Sequence, residues 1–376
     1  MTTMLGPLSS LANKPGVTDI AVTSDGRVWA DSGDGMHEDH LECGTLMPHD
    51  VRDFAVQLCA SLGKRLDDAQ PITDAVTSDG IRVHAVLAPI VPQGASLSIR
   101  LPDKRLNTLH DLVSARMIPP RWEKFVEQLV LARKSILVCG GTGAGKTTLV
   151  RAMLGIIPEN ERVILVEETR ELATSLHANG ESLTVRDANV EGAGQITLSD
   201  LVKATVRMRP DRIVLGECRG EEVADLLRAL NSGHRGSFTT LHADSIERVP
   251  ARLCALGLLA HIDVAATAML AAHALDIVIH VVRDKNGRHI SSIGRLETDL
   301  HGALIGVPLA SWDGVNEPRQ SVEFERLKEQ LSTSLESSCL VSTAHDTELQ
   351  TDREHVDDYR AEMLESDATI EFSKIL

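Results

Sequence analysis

The chain has 376 residues, more than one compact core holds and enough for two ordinary domains. Its formal charge of −16 argues against nucleic acid as a partner, because the molecule as a whole lacks an electropositive footprint. Six cysteines, at 43, 59, 139, 218, 254 and 339, include no CxxC pair, which argues against a zinc ribbon or disulfide framework and fits reduced thiols in the cytosol.

The opening MTTMLGPLSSLANKPG has neither a basic n-region nor a long apolar run, so it does not read as a signal peptide. VTDIAVTSDGRVWAD predicts two strands joined at SDG. VRDFAVQLCASLGKRL carries apolar residues at helical spacing, AVTSDGIRVHAVLAPI is a second strand–turn–strand, and ASLSIRLP a further strand. These elements predict a small α+β domain over 1–105. A linker with a short helix follows over 106–120 and ends at the break IPP.

From 121 to 316 strands and helices alternate, the pattern of a mostly parallel sheet in an α/β domain. SILVCG, RVILVEE and RIVLGE are apolar runs of strand length that stop at Gly or Glu. Polar chemistry then gathers at the C-terminal ends of the strands, where open α/β sheets bind ligands. The most apolar stretch, LCALGLLAHIDVAATAMLAAHALDIVIHVV, is interrupted by His261, Asp263, His273 and Asp276, so no transmembrane segment is expected and membrane association would need a protein partner. Residues 317–376 hold fifteen acidic and six basic side chains, −9 of the total −16. They read as a flexible acidic tail with one helical run, VEFERLKEQL.

ILVCGGTGAGKTTLVRAMLG contains G-x-x-x-x-G-K-T directly after a strand and at the start of a helix. Glycines let backbone N–H groups curl around an anion, and the helix N-terminus adds partial positive charge. The predicted phosphate loop is Gly140, Gly141, Thr142, Gly143, Ala144, Gly145, Lys146, Thr147 and Thr148. Lys146 reaches the β/γ-phosphates and the Thr147 hydroxyl ligates Mg²⁺. No NKxD-type guanine reader follows, so ATP is the expected nucleotide.

Splitting ATP needs a held metal and an oriented water. Glu217, at the end of RPDRIVLGECRG, suits a general base. RVILVEETREL supplies Glu167, Glu168 and Glu171. Such a cluster reads either as solvated acids at a helix start or as carboxylates facing a cation. GHRGSFTTLHADS holds His234 and His242. Zinc would need further ligands at matching spacing, and none is present. Contact with, or sensing of, the γ-phosphate fits better, because SFTTLH would emerge at the edge that carries the phosphate loop.

With GGTGAGKTT, VEETREL, RPDRIVLGECRG and GHRGSFTTLHADS in that order, the chain resembles the type II/IV secretion ATPase superfamily, in particular its tight-adherence (TadA/CpaF-like) pilus assembly branch, over about 15–300. The resemblance implies a RecA-like P-loop domain behind the smaller N-terminal domain, with ATP clamped between them. It further implies a homo-hexamer on the cytoplasmic face of the inner membrane, held there by a platform protein of a secretion or pilus machine. It makes Arg82 and Arg100, in DGIRVHAV and LSIRLP, candidates to face the phosphates. Arg207, Arg209, Arg212 and Arg219 flank the third motif and could act within or across subunits. Glu168 stands where the family usually has Asp and would hold Mg²⁺, directly or through water. The acidic tail is a departure from the family core, and the four-cysteine metal module of some relatives is absent. A RecA-like motor that translocates DNA or other nucleic acid is the alternative function.

Overall fold

The computed structural model describes residues 2–33, 35–41, 44–77, 80–101, 108–172, 177–186, 188 and 193–336. Most of the predicted acidic tail, 337–376, and the start of the predicted linker region lie outside the described residues. The chain forms two compact units, Met1–Arg319 and Gln320–Leu376. In the second, a helix spans 322–336.

The first unit contains two sheets. In the N-terminal one, β1 (Asp19–Val22), β2 (Val28–Asp31), β3 (Met36–Asp39), β4 (Ile72–Val76), β5 (Arg82–Leu87) and β6 (Ala95–Arg100) lie in the order β3-β2-β1-β6-β5-β4. Every recorded pairing is antiparallel. Alternation along β5 and β6 buries Val83, Ala85, Leu87, Leu97 and Ile99 on one face. That face packs on α2 (Pro48–Ser61) and on the N-terminal turns that end in α1 (Ser9–Ala12), burying Leu5, Leu8, Val51, Ala55 and Leu58. The opposite face keeps its polar side chains, Arg82 and Arg100 among them.

Thr108 caps α3 (Leu109–Ser114) through its side chain, accepting from the Asp111 N–H. Pro120 opens α4 (Pro120–Leu131), whose Trp122 and Phe125 are fully buried. The second sheet follows. Its parallel strands are β7 (Ile136–Cys139), β8 (Val163–Glu167), β9 (Gly180–Thr184), β10 (Arg212–Cys218), β11 (Phe238–Leu241) and β12 (Ile277–Asp284), in the order β12-β7-β11-β10-β8-β9. Burial of all four β7 residues and all four β11 residues matches strands covered on both faces. Helices α5 (Lys146–Leu154), α6 (Leu198–Thr205), α7 (Glu222–Asn231), α8 (Val249–Leu259) and α9 (Val264–Ala274) connect them. Antiparallel β13 (Gly287–Thr298) and β14 (Leu304–Ser311) extend the sheet beyond β12. The sequence reading, which ended on the alternating pattern, did not contain this extension.

Candidate functional site

The phosphate-loop motif lies between β7 and α5, at the C-terminal edge of the sheet's centre. Gly140 is required there: its φ is +153°, and a Cβ on it would fall 2.2 Å from the Val281 carbonyl oxygen. Lys146, 8% exposed, turns its ammonium onto the loop itself. Nζ donates to the carbonyls of Gly140 (2.9 Å) and Gly141 (3.0 Å) and lies 3.3 Å from His242 Nε2. Burial lowers the Lys146 pKa, with Glu217 opposing the shift.

Glu217 arrives from β10. Between Leu215 and Cys218 the pairing with β11 slips by one residue, with Leu215 opposite Thr239 and Cys218 opposite Leu241. This bulge re-aims a side chain next to the phosphate loop. The Thr240 hydroxyl ties it down by donating to the Gly216 carbonyl at 2.7 Å. Glu217 Oε2 lies 2.5 Å from Arg219 Nη2, and that hydrogen bond raises the arginine's pKa. Glu217 Oε1 lies 2.8 Å from His242 Nε2 but not in N–H···O geometry, and among the described residues this buried oxygen has no hydrogen-bond donor. With Lys146 as the donor, Nε2 accepts and the ring proton sits on Nδ1. Burial first, and then the Lys146 charge, lower the His242 pKa, so the ring is neutral at pH 7.

The cluster in VEETREL divides in three. Glu167 ends β8, 4% exposed, and its Oε1 accepts the N–H groups of Glu171 (3.0 Å) and Leu172 (3.1 Å). Burial pushes its carboxyl up to about 7. Glu168 points instead to Arg219, 3.1 Å away. Glu171 accepts from the Thr147 hydroxyl at 3.2 Å and pairs with Arg82 of β5. The acidic group beside the predicted metal-binding hydroxyl is therefore Glu171, and Glu168 is engaged elsewhere. No cluster of three or more His, Cys, Asp and Glu that could hold a metal occurs among the described residues.

Arg82 and Arg100 stand directly opposite each other on β5 and β6. Like charges in that register are unfavourable. They are balanced by Glu171 on one side and by Asp19 on the other, whose Oδ1 accepts from Arg100 Nε at 2.9 Å. Both arginines line a cleft of about 540 Å³ together with Asp74, His84 and Thr169.

Two predicted residues are not brought here. His234 precedes β11 and Arg209 precedes β10, so both sit at the N-terminal edge of the parallel strands, opposite the phosphate loop. His234 Nδ1 lies 3.3 Å from the Pro210 carbonyl oxygen. Within one protomer they cannot share a phosphate with Lys146. Arg207 lies in the 3₁₀ turn Val206–Met208, just before them. Arg212 is wholly buried, pairs with Glu161 at 2.6 Å and donates to the Val130 and Gly236 carbonyls, which is a structural role. The sequence reading also missed Arg288 of β13, whose Nε donates to the Gly143 carbonyl at 2.9 Å. Nothing in its local sequence signals this, because the two residues are 145 positions apart.

A family model described as type II/IV secretion system protein matches residues 4–354. A Mycobacterium tuberculosis protein that carries the provisional name conjugal transfer protein is 44% identical over 289 residues, 75% of this chain and 81% of that one. Protein VirB11 of Agrobacterium fabrum is 31% identical over 266 residues, 64% of this chain and 76% of its own length. The pilus retraction motor PilT, solved with bound ADP, has a similar fold, with a TM-score of 0.53 at 19% identity and 88% of each chain covered.

Proposed function

The chain belongs to the type II/IV secretion system protein family, and we propose that it is the cytoplasmic ATPase of such a machine, in the tight-adherence pilus assembly branch. One observation carries the hydrolase reading. Lys146, His242 and Glu217 come from the ends of three adjacent strands, with His242 Nε2 3.3 Å from Lys146 Nζ and 2.8 Å from Glu217 Oε1, and that buried oxygen has no donor among the described residues. A carboxylate oxygen in that state has its hydrogen-bonding capacity open for a water.

The residues fit a nucleoside triphosphate. A cradle of glycines at 140, 141, 143 and 145 precedes a helix N-terminus, and among the described residues the ammonium of Lys146 meets loop carbonyls and His242, which phosphate oxygens would replace. Mg²⁺, when bound, would neutralise charge on the β- and γ-oxygens. Thr147 would be its direct protein ligand, with Glu171 beside that hydroxyl. Glu217 holds and deprotonates the attacking water. His242 bridges it to Lys146 and reports whether the γ-phosphate is present. Arg82 and Arg100 face the phosphates from the N-terminal domain, so loss of the γ-phosphate loosens one domain from the other. A homo-hexamer bound to an inner-membrane platform protein would transmit that movement, and no helix among the described residues is long and apolar enough to cross a membrane.

With Mg²⁺ present, Glu217→Gln should bind a fluorescent ATP analogue as the native chain does and lose turnover by about 10²–10⁴-fold. Unchanged phosphate release would overturn the base assignment. A second reading, a DNA-transfer motor, is favoured by the name of the mycobacterial relative. Salt-sensitive stimulation of the ATPase by single-stranded DNA would support it, and the net charge of −16 stands against it.

A further inference from the structure

The hairpin of β12 and β13 carries a like-charged pair, since Arg283 and Arg288 stand directly opposite each other. Such pairs are destabilising unless each charge has its own use. Arg283 lies near Asp31 of β2, whose carboxyl is held below the usual range first by the Gly33 and Gly35 N–H groups and, to a smaller extent, by the Arg283 charge. Arg288 reaches the other way. Its Nε donates to the Gly143 carbonyl at 2.9 Å, and its Cδ lies 3.7 Å from where a Cβ on Gly145 would be. The strand that carries it is braced against the same loop. Ile290 N–H donates to the Met117 carbonyl at 2.9 Å, and Met117 Cε would stand 2.9 Å from a Cβ on Gly145.

A trans peptide is planar, so fixing a carbonyl also fixes the N–H of the next residue on the opposite side. Arg288 pulls the Gly143 carbonyl outward, which turns the Ala144 N–H inward across the loop. There it meets the Gly141 carbonyl oxygen at 3.4 Å, a long bond that an anion readily displaces. We propose that Arg288 is a positioning residue of the phosphate loop, holding the Gly143–Ala144 peptide so that the Ala144 amide faces a bound triphosphate. Gly143 supplies the φ of +71° that this orientation needs and that a side chain would oppose.

The proposal rests on the nucleotide reading above, and the test separates the two. Affinity for a fluorescent ATP analogue with Mg²⁺, and steady-state kcat and KM, are measured on the full chain, on Lys146→Ala as the reference for a lost site, and on Arg288→Ala, Arg288→Lys and Arg283→Ala. Arg288→Ala should weaken binding on the order of tenfold, the loss of one charge-assisted hydrogen bond, and raise KM by a similar factor with kcat nearly kept. Arg288→Lys should restore part of the affinity. Arg283→Ala should stay within about twofold of the native chain, because the effect is a specific bond and not the hairpin's field. If the native chain binds no nucleotide, the functional reading fails. If it binds and Arg288→Ala binds equally well, or Arg283→Ala loses as much, the positioning role is refuted while that reading stands. Circular dichroism on each variant keeps a misfolded protein from counting as a loss of affinity.

Discussion

Glu171 pairs with Arg82 through one carboxylate oxygen while its other oxygen accepts from Thr147. A single side chain thus joins the open face of the N-terminal sheet to the first turn of α5, and its own backbone carbonyl accepts from Arg151 Nη2 at 2.7 Å. Removing either end of the link should have the same consequence. We expect Arg82→Ala and Glu171→Ala each to lower kcat/KM for ATP, and the double variant to be little worse than the poorer single one. The coupling in a double-mutant cycle should be about 1 kcal/mol or more. Strict additivity would mean that the two residues act separately.

Burial holds the Glu167 carboxyl at about 7, against an ordinary value of 4.5. Between those values the folded state binds a proton that the unfolded state does not. Glu167 therefore contributes stability at low pH and loses it as pH rises through about 7, a change of about 3 kcal/mol. Glu167→Gln keeps an oxygen for the N–H groups of Glu171 and Leu172 and cannot ionise. Denaturant unfolding should find this variant as stable as the native chain at pH 4 and more stable at pH 8. Parallel pH profiles for the two proteins would contradict the buried, proton-holding state of Glu167.

Much of this site was legible because its parts obey local rules. The glycines and Lys146 are contiguous, and the runs ending in Glu167 and Glu217 read as strands from their apolar residues. What was not legible depends on register and on distance. That Glu217 turns toward Lys146 follows from the one-residue slip against β11, which no periodicity announces, although Gly216 marks the place. His234 and His242 sit in one short stretch of sequence, yet His234 lies before β11 and His242 after it. A strand's length therefore separates them across the sheet. Glu168 and Glu171 look interchangeable in sequence and part company only because Arg219 and Thr147 lie on different sides of them.

His242 is held neutral at pH 7 by burial and by the Lys146 ammonium. Acid would protonate Nε2, put a second cation 3.3 Å from Lys146 and place its charge 2.8 Å from Glu217 Oε1, where it holds the carboxylate and weakens it as a base. Turnover should therefore fall on the acid side, below the ordinary histidine range. His242→Asn keeps an acceptor for Lys146 and cannot protonate, so the acid limb of kcat/KM should flatten in it. An acid limb of the same shape in both proteins would assign the titration to another group.

His234 gives the converse expectation. Its ring meets the Pro210 carbonyl at the N-terminal edge of β10 and β11, where the chain between α7 and β11 is also tied by Ser237 Oγ donating to the His234 carbonyl at 2.9 Å. That backbone bond survives loss of the ring. His234→Ala should therefore cost stability only by the one weak ring contact, about 1 kcal/mol, and leave the affinity of an isolated protomer for ATP within about twofold. Measured on the assembled protein, the same variant asks a separate question. A loss of turnover confined to the oligomer would place His234 against a neighbouring subunit's site, whereas a loss of ATP binding in dilute protomers would contradict its position in this fold.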